Sequence, residues 1–311
     1  MSETLLETRG FHVKDQAAKE LLETVGRMFL TGYAYAVEAR HPQDAEERLE
    51  ELPTRFKGFA YEGAGMGFAV LDGMPFGHRH HVADFLRGRA ADHVYMVYVG
   101  IGWAMARLPR FRWPSSARTD PLLRWLVLDG YGFHQAYFKT DKYVHGQGVD
   151  ENFPWPAEGP RGYTANALDQ GIGRAMWFVG GTDPQVVADM IDKFPRHRRG
   201  DLYSGAGLAA TYAGGVTEDE LRLFRDRAGQ HAGLVAQAGA FAAEARVKAG
   251  LHVPHTALAT RVFCDLEPEP AAQLTQDLRP APPIVDGDVP AFETWRQSIT
   301  ARFVHQEGVS S

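Results

Sequence analysis

The chain of 311 residues holds a single cysteine, Cys264, so neither an internal disulfide nor a multi-thiolate metal site can form. Basic residues are not in excess either. Lys and Arg number 33 against 39 Asp and Glu, and the net charge of −6 removes the electrostatic footprint of a nucleic-acid or anionic-membrane binder. The longest strongly apolar stretch, Val94 to Leu108, is about 15 residues where a membrane-spanning helix needs ~20, so it reads as a core helix and no membrane span is expected. The N-terminal MSETLLETRG has no basic-then-apolar leader, which gives a cytoplasmic location as the expectation. Runs of alternating β-branched residues are missing as well, and with them the signature of strands.

What is present is helical periodicity, in a composition of 44% hydrophobic and 23% charged residues that suits a globular chain. Over 14–39, Ala18, Leu21, Leu22, Val25, Met28 and Phe29 fall on one stripe with acids and lysines opposite. Similar patterns predict helices over 44–73, 80–108, 120–141, 164–180, 184–195, 201–213, 217–250, 254–264 and 290–306. Asp120-Pro121 and Asp183-Pro184 put a capping side chain before a first-turn proline, and Thr217 with Glu220 makes a capping box. The expected fold class is all-α.

An internal repeat runs through this pattern. Gly65-Met66-Gly67 recurs as Gly100-Ile101-Gly102, Gly130-Tyr131-Gly132, Gly171-Ile172-Gly173 and Gly205-Ala206-Gly207, with a degenerate sixth copy at Ala236-Gln237-Ala238. The starts differ by 35, 30, 41, 34 and 31 residues, the length of a helix-turn-helix unit. Each glycine inside a helix costs roughly 1 kcal/mol relative to alanine, so five copies need a compensating gain. Pairs such as Gly100/Ala104, Gly171/Ala175 and Gly205/Ala209 share a helix face and form notches where a neighbouring helix can approach closely. The expected architecture is therefore helical-hairpin repeats, stacked as an α/α ring or a solenoid around an apolar cavity. A dinucleotide-binding loop is excluded, because it needs a strand before the first glycine and a third glycine at the helix start.

Two segments break the periodicity. Residues 144–163 are rich in glycine and proline and read as a long loop of the sort that covers a binding site. Residues 265–290 hold six of the 18 prolines and read as an extended strap, after which a last helix returns to pack. Since the repeats cover 65–240, residues 1–264 form one repeat domain, with 265–311 packing on it.

Candidate chemistry follows from residues that depart from the repeat. His134 is ionisable where most copies have alanine, and is either a hydrogen-bonded core histidine or a general acid/base facing a pocket. Glu62 precedes Gly63, Asp129 precedes Gly130, and Asp169 stands two before Gly171; if equivalent helices line one cavity, these carboxylates converge and at least one pKa rises. Otherwise they serve helix termini or inter-repeat hydrogen bonds. Arg174, inside the fourth copy, is either paired to Asp169 or Asp129 or anchors an anionic group. Asp129, His134 and Asp169 form the proposed acid/base group, with Glu62 and Arg174 as its partners. Trp103, Tyr131, Gln135, Trp177 and Tyr98 are the expected substrate-binding residues, since an aromatic cavity holds an apolar chain and stabilises cations through ring faces.

No metal site and no cofactor is expected. His78-Arg79-His80-His81 lacks ligand spacing, since His80 and His81 point apart on a helix; His252 and His255 flank Val253-Pro254, and Cys264 stands nine residues on. The acid motifs D-D-x-x-D and D-x-D-D, the G-x-S-x-G elbow and the P-loop are all missing. The run 196–199 (RHRR) is either an anion-binding cluster or a solvated helix end.

The strings at 58–73, 123–138, 167–181, 194–215 and 236–246 resemble, over roughly residues 24–260, the bacterial domain-of-unknown-function family 1702. Members are often encoded among actinobacterial natural-product genes, including enediyne cassettes beside an iterative polyketide synthase. The resemblance brings no catalytic residues with it. What it implies is a role in specialised metabolism on a polyene or similarly apolar intermediate. The residues and the resemblance together give an enzyme that cyclises or isomerises a polyene or isoprenoid chain by proton transfer, in one version terpene-cyclase-like. The alternative is a non-catalytic helical repeat that binds a polyketide synthase, a carrier protein or the intermediate itself. That alternative predicts an open concave groove and acids held in pairs.

Overall fold

The computed structural model describes residues 2–75, 80–116, 119–150, 152–156 and 159–309. After the single turn of α1 (Leu6–Arg9), Asp15 accepts a hydrogen bond from the Ala18 amide at 2.7 Å and starts α2 (Gln16–Glu38). The helix predicted over 44–73 is two, α3 (Pro42–Glu50) and α4 (Thr54–Gly73), parted at Pro53, which lacks the N–H that a continuous helix needs. The span 80–108 likewise divides into α5 (His81–Phe85) and α6 (Val94–Met105). Then come α7 (Trp125–Phe138), α8 (Thr164–Val179), α9 (Pro184–Ile191) and α10 (Arg196–Ala213). Gly229 at φ +52° divides 217–250 into α11 (Glu218–Ala228) and α12 (Ala232–Lys248). The chain continues through α13 (Pro254–Cys264), α14 (Pro268–Asp277) and α15 (Ala291–Val309). Among the described residues there is no strand, so the fold is all-α.

The first stretch of the proline-rich strap is not extended. Its prolines at 268 and 270 sit in the first turn of α14, where a missing N–H leaves no intrahelical bond unmade. Both α14 and α15 pack on α12.

The glycine pairs lie on helices, and they set how those helices meet. α2, α4, α6, α7, α8, α10 and α12 pack in succession, each on the next. A Cβ added at Gly100 would stand 2.1 Å from the Glu62 carbonyl oxygen of α4, and one at Gly102 would stand 2.0 Å from the Val127 oxygen of α7. Gly130 and Gly132 meet α6 and α8 in the same way, Gly171 and Gly173 meet α7 and α10, and Gly205 and Gly207 meet α8 and α12. The first glycine of a pair thus faces the preceding helix and the second the following one; at every one of these positions but Gly207, which meets the Val235 side chain, the neighbour is helix backbone, which leaves no room for a larger residue. On α4 the rule picks a different pair from the one the sequence suggests. Gly63 meets Phe29 of α2 and Gly65 meets Val97 of α6, so Gly63-Ala64-Gly65, not Gly65-Met66-Gly67, is the structural counterpart of the other copies.

The repeating unit is this helix, not a hairpin. α5, α9 and α11 intervene between some core helices, but between α6 and α7, and between α7 and α8, the described residues form only short 3-10 and π turns. The succession curls back on itself. The Phe59 ring of α4 lies 5.2 Å from Tyr212 of α10, and Arg246 of α12 donates to the carbonyls of Arg55 (3.1 Å) and Tyr212 (2.7 Å).

The capping box expected at Thr217 forms, the Thr217 hydroxyl accepting from the Glu220 amide and the Glu220 carboxylate from the Thr217 amide. Thr217→Ala should lose about 1 kcal/mol, read as a fall of about 2 °C in thermal midpoint for a chain of this size.

Candidate functional site: the interior cavity

With one glycine of each pair committed to each neighbour, most of the residues one before and three after the first glycine turn toward the middle of the succession. At −1 these are Glu62, Val99, Asp129, Gln170 and Ser204, and at +3 Met66, Trp103, Phe133, Arg174 and Leu208. Glu62, Trp103, Phe133, Arg174 and Leu208 line a cavity of about 100 Å³ with Phe29, Phe59, Tyr137, Phe178 and Tyr212, beneath Glu3 and Thr4. A second lobe of about 50 Å³ is walled by Val99, Leu126, Asp129, Phe241, Phe292 and Trp295. Met96, Arg174, Leu208 and Tyr212 belong to both walls and form a waist between them. Past the second lobe, Arg296 of α15 binds Asp201, Glu293, Ser204 and the Tyr163 hydroxyl, and Gln170 donates to Tyr163 and Asp201.

The lobes are largely apolar, with charge concentrated near the waist. Glu62 is 4% exposed, and its Oε1 accepts from the Trp103 indole N–H at 3.0 Å. Burial away from water raises its pKa to about 7; Arg174 pulls the other way, and the neighbouring Asp129 adds to the rise. Burial also raises Asp129 above the ordinary carboxylate range, against the attraction of Arg174. Arg174 Nη2 stands 2.7 Å from Asp129 Oδ1, a contact between two opposite charges. Arg174 Nε and the buried Tyr212 hydroxyl have no hydrogen-bond partner among the described residues. The Arg174 guanidinium lies over the Phe133 ring, 4.9 Å from its centre. Chemically, the site offers a carboxyl that exchanges its proton near neutrality inside a cage of aromatic faces.

The residues expected to act together are distributed over three places. Glu62, Asp129, Arg174 and Trp103 meet in the interior. His134 does not join them. At position +4 it packs on the preceding helix, 5.4 Å from the Trp103 ring and 4.7 Å from Phe138, with both ring nitrogens unpartnered. Burial, reinforced by Arg107, lowers its pKa to about 3, so it is neutral. Asp169 faces the other side of α8. There it takes two hydrogen bonds from Arg198 at 2.9 and 2.6 Å, in the wall of a separate outer cavity of about 120 Å³. Tyr131 and Gln135 line this outer cavity too, together with Gly148, Val149 and Asp150 of the long loop. Trp177 is fully buried against Phe224 and donates to the Gly214 carbonyl, and the Tyr98 hydroxyl accepts from the Asp120 amide. Of the five expected substrate-binding residues, Trp103 alone lines the interior.

Sequence reasoning missed Tyr212, Phe29, Phe59, Phe133, Tyr137 and Phe178 as lining residues. Counting −4, −1, +3 and +7 from the first glycine of each pair selects most of them. In the run 196–199, Arg198 holds Asp169 and Arg199 donates to the Phe194 carbonyl at 2.7 Å. His78 and Arg79 lie outside the described residues. Among the described residues no three His, Cys, Asp or Glu side chains group as metal ligands would, and no helix is long and apolar enough to cross a membrane.

Residues 1–303 match the family model described as "Protein of unknown function (DUF1702)". No curated protein and no solved structure matches the chain.

Proposed function

The chain belongs to the DUF1702 family, and from its interior we propose that it binds an apolar, unsaturated chain of the polyene or isoprenoid kind and promotes its isomerisation or cyclisation by proton transfer. The observation that carries this reading is Glu62, a carboxyl 4% exposed with a pKa of about 7, on the wall of an aromatic cavity. A general acid works best with a pKa near the ambient pH, where it both holds a proton and gives it up. The carbocation formed on protonating a double bond would lie against Phe29, Phe59, Trp103 and Phe133, whose ring faces attract positive charge. Asp129 and Arg174 act by setting the proton affinity of Glu62. This is terpene-cyclase-like chemistry begun by protonation, since the sequence has no D-D-x-x-D motif to hold a metal-bound diphosphate.

In this reading the protein is a cytoplasmic enzyme of specialised metabolism, with enediyne-type pathways as one setting. A scaffold for a polyketide synthase or carrier protein is supported less, because the aromatic and ionisable side chains converge inward. As they stand, the lobes hold a ring-sized or short-chain segment. A longer chain would be seated by turning aside Met96 and Leu208, of which methionine is the more readily repacked.

The test is incubation with polyene and prenyl diphosphate pools in D2O, with deuterium uptake and product mass read by mass spectrometry. The wild type should introduce deuterium, Glu62→Gln should slow this by about 10²-fold or more, and Asp169→Asn should not. Equal rates in the wild type and Glu62→Gln would remove the proton-transfer assignment.

A further inference from the structure

We propose that a cavity between α4, α5 and the outer side of α6 is a second binding site, and that it takes a singly charged amphiphilic anion, an apolar body ending in one carboxylate. The inference goes beyond the reading of the interior and does not rest on it.

This cavity holds about 560 Å³, against about 100 and 50 Å³ for the interior lobes, and is of the size that small-molecule sites have. It shares no described wall residue with either lobe. α6 stands between them, with Val99 and Trp103 in the walls of the lobes and Tyr98, Ile101 and Met105 in the wall of the α5–α6 cavity. Leu86 and Leu108 add to an apolar wall, and the chain after α6 closes one side with Phe111, Arg112 and Trp113. Phe111 is 80% exposed, so it marks the open edge. An apolar hollow of this size that reaches the surface, with a bare aromatic ring at its edge, is the kind of surface that a ligand covers.

The charges in the wall are unevenly matched. Asp72 is fully engaged. Its Oδ1 accepts from the His81 amide at 2.9 Å and meets the His81 ring Nδ1 at 2.8 Å, and its Oδ2 accepts from the Val82 amide at 3.1 Å. Arg112 is not. Among the described residues, the side chains of Arg107, Arg110 and Arg112 make no hydrogen bond and no ion pair. Their guanidiniums lie instead near rings, Arg107 5.3 Å from Phe138, Arg110 5.9 Å from Trp113 and Arg112 5.3 Å from Phe111. The contact with Phe111 sets the Arg112 charge at the open edge of the cavity. In a chain of net charge −6, three cations without a carboxylate between positions 107 and 112 make a local field that draws an anion.

These two features together select the ligand. Its apolar body enters the cavity and its charge stays at the edge, where the planar fork of Arg112 matches a carboxylate by two parallel hydrogen bonds. A diphosphate would set several negative charges against the one guanidinium of the wall, with Asp72 in the same wall. An ammonium group would meet the arginines.

The experiment titrates octanoate, 1-octanol and octyltrimethylammonium, three probes of one chain length that differ in charge, into the full-length protein by calorimetry. Octanoate should bind tightest and the ammonium weakest. Arg112→Gln should weaken octanoate by about 5-fold and leave octanol nearly unchanged. Ala83→Trp, which fills the cavity from an exposed position of α5, should weaken both octanoate and octanol by about 10-fold or more. Octanoate binding that is undetectable, no tighter than octanol, or unchanged in either variant would overturn the proposal, as would an equal loss of both probes in Arg112→Gln. A last arm sediments the protein with anionic phospholipid vesicles. The protein should stay in the supernatant, and co-sedimentation that Arg112→Gln abolishes would make this face a membrane contact and overturn the proposal. None of these outcomes depends on Glu62, so octanoate binding and deuterium uptake fail separately.

Discussion

Gly171→Ala should destabilise the protein by about 3 kcal/mol or more, although helix propensity alone predicts a gain of about 1 kcal/mol for alanine inside a helix. The new methyl carbon would stand 1.9 Å from the Asp129 carbonyl oxygen and 2.7 Å from the Phe133 amide nitrogen, both backbone atoms of α7. A flexible side chain could swing aside, but a helix backbone cannot without moving the helix. α7 is held from both sides, with Gly102 of α6 against its Val127 and its own Gly132 against Leu168 of α8. Any shift is therefore shared with the next helix in the succession, and it carries Asp129 and Phe133 away from Arg174. The control is Gly162→Ala, in a 3-10 turn where a Cβ meets nothing within 4 Å, and which should change stability by less than about 0.5 kcal/mol. Chemical denaturation of the two variants decides the matter. A Gly171→Ala protein as stable as the wild type would mean that the helices are not held at glycine distance.

The close-packed helices were legible because glycine inside a helix is costly and its recurrence needs a reason. Which face of each helix looks inward was not. α6 and α7 are apolar nearly all round, so their periodicity favours no side. On α4 the run Gly63-Ala64-Gly65-Met66-Gly67 admits two registers, and only the contacts to α2 and α6 choose between them. His134 drew attention as an ionisable residue in an alanine slot, yet that slot is the notch toward the preceding helix, where the ring is packed and neutral. Asp129 and Asp169 looked equivalent, each just before a glycine pair. One residue's difference in offset turns Asp129 to the interior and Asp169 to the outer cavity and Arg198. The sequence offered Arg174 two partners, Asp169 and Asp129; the structure selects Asp129, on another helix across a long loop, a choice that spacing along the chain could not make.

Glu62→Gln should make the protein more stable than the wild type above neutrality and no more stable in acid. A group whose pKa rises on folding holds its proton more tightly in the folded chain. Its contribution is therefore fully present below the unfolded value and is lost as pH climbs through the folded one. For Glu62 those limits are 4.5 and about 7. At 1.36 kcal/mol per unit the difference is about 3 kcal/mol. Below pH 4.5 the wild type buries a neutral carboxyl, much as the variant buries a neutral amide, and the glutamine oxygen can still accept from the Trp103 indole. Above pH 7 the wild type must either bury a charge beside Asp129 or open the cavity to water, while the variant does neither. Thermal midpoints measured for both proteins from pH 4.5 to 8 should coincide at the acid end. They should separate to about 6 °C at the alkaline end, at roughly 2 °C per kcal/mol for a chain of this size. A separation that does not change with pH would mean that Glu62 titrates as an ordinary exposed carboxyl, and the proton carrier at the centre of the cavity would be lost with it. The energy that ionised Glu62 costs the empty protein is what a bound substrate would draw on. A positive charge developing beside the carboxylate relieves the burial, so the folded state that tolerates Glu62 poorly is the one best matched to a cation in the cavity.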